Sequence, residues 1–105
     1  MSTLRMPGMI TAIANGKSPV DVIEYEMMGE KASALGRAGQ RAEAALISLR
    51  SYEGEPAGRA AVLKSAADAV YAYFIQRELC GFRRHQDIIR EYAIPNEVLA
   101  RLGAR

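Results

Sequence analysis

Cys80 and His85 lie five residues apart, and Glu78 stands two residues before the cysteine. Thiolate, imidazole and carboxylate are the donor types that zinc takes. A structural zinc site needs four such donors, yet the sequence holds one cysteine and one histidine. A three-donor catalytic site would have to add a carboxylate, and the spacing matches no zinc motif. The expectation is no metal and no cofactor. Cys80 then reads as a small apolar residue at a helix end, and His85 as a hydrogen-bonding partner where the next helix begins.

The same stretch is rich in arginine. Arg77, Arg83, Arg84 and Arg90 stand among Glu78 and Asp87. Guanidinium groups bind phosphates and carboxylates in a two-pronged fashion. Arg77, Arg83, Arg84, His85 and Tyr92 therefore form a candidate anion- or ligand-binding set. The competing reading is intramolecular. Arg77 continues an apolar heptad row through Leu63 and Val70, so it should point inward, and a buried arginine needs a carboxylate. Glu24 and Glu30 are the acids expected to supply it, joining an acidic helix start to an arginine-rich end.

Other chemistry finds no foothold. No nucleophile, base and orienting group occur in a recognisable set, and there is no HExxH. Gly36-Arg37-Ala38-Gly39 sits inside a helical pattern rather than after a strand, so it is no phosphate loop. Glu26 and Glu30 are one turn apart, but a carboxylate-bridged metal pair also wants Glu-x-x-His on partner helices, which is missing. The chain is expected not to be an enzyme.

Helices must position all of these groups. Ser18-Pro19-Val20-Asp21 is a helix start: Ser18 can cap, Pro19 suits the first position, and Asp21 lies where a capping-box acid would reach back. Tyr25, Ala32, Gly39 and Leu46 form one apolar row at heptad spacing, and Met28, Leu35, Ala42 and Leu49 form a second. The helix should run from Pro19 to about Tyr52, roughly 50 Å. A compact chain of this length is only about 33 Å across, so the helix is either broken at Gly29, Gly36 or Gly39 or part of something elongated. The unbroken rows favour continuity.

Pro56 starts a second helix that should run to Cys80, with Gly81 as its C-terminal cap. The short connection makes the two helices antiparallel neighbours. Two short helices, Arg84–Tyr92 and Pro95–Leu102, should fold back over the overhang near Tyr25 and Met28. No segment alternates as a strand does. The fold class is all-α: a long antiparallel helical hairpin plus two short C-terminal helices, paired into a dimeric four-helix bundle.

At 105 residues and 11.5 kDa, one domain is expected, over residues 18–105, behind a flexible tail at 1–17. No apolar run nears a membrane span, and one cysteine permits no intrachain disulfide, so a cytoplasmic protein is expected. The net charge of +2 gives no bulk attraction for nucleic acid. It averages an acidic stretch, Asp21 to Glu30, against an arginine-rich end.

Two association readings remain. Ile88 to Leu102 reads helix, three-residue turn, helix, as in some DNA-binding domains, which makes a DNA-binding regulator over 84–102 an alternative. Its second helix would offer Asn96, Glu97, Ala100 and Arg101, a poor basic surface. Small residues on the first helix, and its length beyond that of one compact chain, point to a second copy instead. Helix two can use one side, while Met27, Ala34, Ala38 and Ala45 remain as a dimer seam. A non-enzymatic interaction or structural module is the favoured reading, with homodimerisation and no membrane partner.

Glu24-Tyr25-Glu26, Glu30-Lys31-Ala32, Leu35-Gly36-Arg37, Ala44-Ala45-Leu46, Gln76-Arg77-Glu78, Cys80-Gly81, His85, Ile89-Arg90 with Tyr92, and Pro95 with Glu97-Val98 stand in this order along the chain. Together these strings resemble a family of short bacterial proteins of unknown function. The resemblance spans Asp21 to Gly103 and implies no activity.

Overall fold

Ser18 opens the first helix as its sequence requires. Its Oγ accepts the Asp21 backbone N–H at 3.1 Å, and Pro19 occupies the first turn. The computed structural model describes residues 18–104. The tail expected over residues 1–17 lies outside the described residues, as does Arg105.

Helix α1 spans Pro19–Arg50 without a break, so Gly29, Gly36 and Gly39 are absorbed into it. Helix α2 spans Pro56–Leu79, α3 Gln86–Glu91 and α4 Asn96–Leu99. The described residues contain no strand. The two C-terminal helices are shorter than the sequence pattern suggests, because a turn takes over at Tyr92 and again at Ala100.

The described residues divide into two units inside α1, the first ending at Ser33 and the second starting at Ala34. In the first unit Val22 is buried, while Val20, Ile23, Tyr25, Met27 and Met28 are each more than half exposed.

The second unit holds a continuous core. Ala38, Ala42, Leu46 and Leu49 of α1 meet Leu63, Ala66, Ala67, Val70, Tyr73 and Phe74 of α2, and Ile88, Ile94 and Val98 close it. Gly39 lies against the Tyr73 ring, where an added Cβ would come within 3.2 Å of it. That register, with the short 51–55 connection, sets this part of α1 antiparallel to α2. Both heptad rows are therefore buried or half-buried from Leu35 to Leu49 and exposed at Tyr25, Met28 and Ala32.

Tyr25 and Met28, which the C-terminal segment is expected to cover, are 61% and 69% exposed. The C-terminal segment folds onto the hairpin of its own unit. The Arg50 guanidinium donates to the Tyr92 carbonyl at 3.3 Å, and α4 lies against α2. The physical reason is in the turns. Ala93 N–H reaches the Arg90 carbonyl and Ile94 N–H the Ile89 carbonyl, a Schellman ending with Ala93 at φ 51°. A non-glycine residue there costs about 1 kcal/mol of backbone strain, offset by burial of Ile94.

Arg59 and Glu97 fasten α4 to α2 through a forked contact, Nη1 to Oε1 at 3.2 Å and Nη2 to Oε2 at 2.6 Å. The Arg59 hydrogen bond, aided by the charges of Arg59 and Arg101, holds the Glu97 carboxyl below its ordinary value of 4.5. Stability from a lowered carboxyl is fully present above the ordinary value and is lost as pH falls through the lowered one. Glu97→Gln is thus expected to lower the urea midpoint at pH 7. The gap from the unsubstituted chain should shrink once the pH drops below 4.5. A gap that is the same at both ends would contradict this role.

Candidate functional site

The end of α2 builds the arginine cluster. Gly81 N–H donates to the Glu78 carbonyl at 3.0 Å and Phe82 N–H to the Arg77 carbonyl at 2.9 Å. Gly81 sits at φ 97°, the left-handed conformation that this Schellman ending requires. The turn sends residues 82–87 back over the side chain of Arg77.

Arg77 is buried, at 7% exposure, as its place on the heptad row predicts. Its partners are not Glu24 or Glu30. Its Nε donates to His85 Nδ1 at 3.1 Å and its Nη2 to the Arg84 carbonyl at 3.0 Å, while Asp87 Oδ1 lies 3.7 Å from Nη2. The guanidinium also lies 5.0 Å from the centre of the Phe82 ring, and 5.9 Å from that of Tyr73. Local turn geometry supplies these partners within ten residues of chain, so no distant acid is needed.

These bonds fix the state of His85. An arginine Nε–H can only donate, so His85 Nδ1 accepts. The ring proton is then on Nε2, which donates to Glu78 Oε2 at 3.0 Å. Phe74 stacks on the imidazole with ring centres 4.1 Å apart. Both ring nitrogens are engaged, and neither has a lone pair left for a metal. Among the described residues no three His, Cys, Asp or Glu side chains gather as a metal site would need. Cys80 is half-buried at the helix end, outside any disulfide.

The five residues of the expected ligand set part company. Arg77, Arg83 and Arg84 line one open concavity of about 630 Å³, together with Gly81, Phe82, Gln86, Asp87 and Arg90. His85 is held between Arg77 and Glu78. Tyr92 stacks on Tyr73, ring centres 6.1 Å apart. Burial first, then the Tyr73 hydroxyl and the charges of Glu43 and Glu91, push its phenol above the ordinary 10.0. Four arginines face one acid, Asp87, in the concavity. Of the lining residues that the sequence reading did not place in the site, Phe82 carries a readable signal, because a helix capped by glycine, as Gly81 caps this one, places the next residue back over its last turn.

The expected dimer seam is likewise divided. Ala38 is buried within the single-chain core, Ala45 packs against it, Ala34 is half-buried, and Met27 is exposed. In the C-terminal segment α4 is a single turn, and Glu97 is engaged by Arg59. Asn96, Ala100 and Arg101 are exposed.

The family comparison covers nearly all of these residues. A family model described as a family of unknown function, DUF6665, matches residues 4–105. The chain belongs to that family. DUF6665 thus takes in α1 to α4 and the arginine cluster together. No curated protein and no solved structure matches the chain. No described helix is long and apolar enough to cross a membrane.

Proposed function

We propose that this protein is a non-enzymatic helical interaction module that acts as a homodimer in the cytoplasm. One observation carries the reading. Val20, Ile23, Tyr25, Met27 and Met28, five large apolar side chains within nine residues of α1, are 54–69% exposed. A helix apolar on several sides is stable when covered. Exposed apolar clusters of this kind mark association surfaces. A second copy is the partner always present at matching concentration, and closed pairs are the commonest assemblies. The single cysteine suits a reducing compartment.

The test places charge in the cluster. Ile23→Asp with Met27→Asp is expected to shift the protein from dimer to monomer in sedimentation velocity, while helix content and the urea midpoint of the second unit hold. Unchanged sedimentation in the double variant would contradict the reading.

A further inference from the structure

Two surfaces of this chain are opposite in charge, and each leaves large apolar side chains in water. The first belongs to the start of α1. At 3.6 residues per turn, Val20, Ile23 and Met27 share a face, with Glu24 on one flank and Glu30 on the other. Among the described residues, none of Asp21, Glu24, Glu26 and Glu30 has an ion-pair partner. Two copies of this segment laid against each other would set acid against acid. Such juxtaposition is strongly disfavoured at an interface.

The second surface surrounds the end of α2. Leu79 and Phe82 are 62% and 49% exposed. Phe82 shares its concavity with Arg83, Arg84 and Arg90. Their guanidinium groups meet no carboxylate among the described residues. Arg77 beneath them is fixed by His85, the Arg84 carbonyl and Asp87, so the floor of this surface is ordered before anything binds. An acidic segment with an apolar stripe is the complement of such a surface.

We infer that the acidic start of α1 in one copy docks on the arginine surface around Phe82 in a second copy. Two-fold symmetry makes the same contact twice. The inference rests on the homodimer reading and names the surfaces that meet.

Charge reversal tests it. The variants are Glu24→Arg with Glu30→Arg, Arg83→Glu with Arg84→Glu, and all four substitutions in one chain. Molar mass is read by light scattering across a dilution series, and circular dichroism checks helix content. Each pair of reversals is expected to weaken dimerisation by at least about tenfold, and the four together to restore it. Raising the salt should weaken the unsubstituted dimer. A dimer that survives Arg83→Glu with Arg84→Glu overturns the docking and leaves the homodimer standing. Failure of the four-substitution chain to recover, with helix content intact, also overturns it. A monomeric unsubstituted chain overturns both readings.

Discussion

Leu46→Ala is expected to destabilise the chain by about 3 kcal/mol, read as a shift in the urea midpoint at unchanged slope. Leu46 is fully buried and is the largest side chain with essentially no exposure among the described residues. Its neighbours in the core include Ala42, Ala66 and Ala67, which have no spare length to fill the space it leaves. The lost transfer energy therefore adds to the energy of a persisting cavity. In a domain of this size the same change should lower Tm by more than about 10 °C. Ile47, next in the chain and 51% exposed, is the control: Ile47→Ala should stay within about 0.5 kcal/mol. Equal effects at the two positions would mean that this face of α1 is not the one that packs on α2.

Arg77→Ala is the second large effect, expected at about 2–4 kcal/mol. The substitution strips donors from His85 Nδ1 and the Arg84 carbonyl and removes the body under Phe82. Arg77→Met keeps most of the volume and should cost less, so the difference between the two variants reports packing. A second readout separates the hydrogen bonds from simple filling of space. Nitrogen NMR of His85 should show the Nε2–H tautomer in the unsubstituted chain, and that preference should weaken in both variants. A His85 ring that keeps its tautomer without Arg77 would contradict the donor assignment.

The extent of sequence legibility follows from how local each cause is. Ser18-Pro19 and Pro56 mark their helix starts, and Cys80-Gly81 marks a helix end, because helix ends are set by neighbouring residues. The inward turn of Arg77 was legible from its row with Leu63 and Val70. Its partners were not, because a two-dimensional pattern offers any acid as a match. The closing turn at Gly81 makes His85 and Asp87 nearest. The C-terminal helices depart from the sequence expectation for a related reason. An exposed apolar overhang suggests that something in the chain should cover it, but the Schellman turn at Ala93 directs Ile94 and Val98 to the hairpin core. The start of α1 is thus one of the apolar surfaces that a single copy leaves exposed among the described residues.

Light scattering of the unsubstituted chain over a concentration series, from about one to several hundred micromolar, tests the central claim most directly. The account predicts about 23 kDa, twice the 11.5 kDa of one chain, falling only on dilution. A constant mass of 11.5 kDa up to the highest concentration would contradict it.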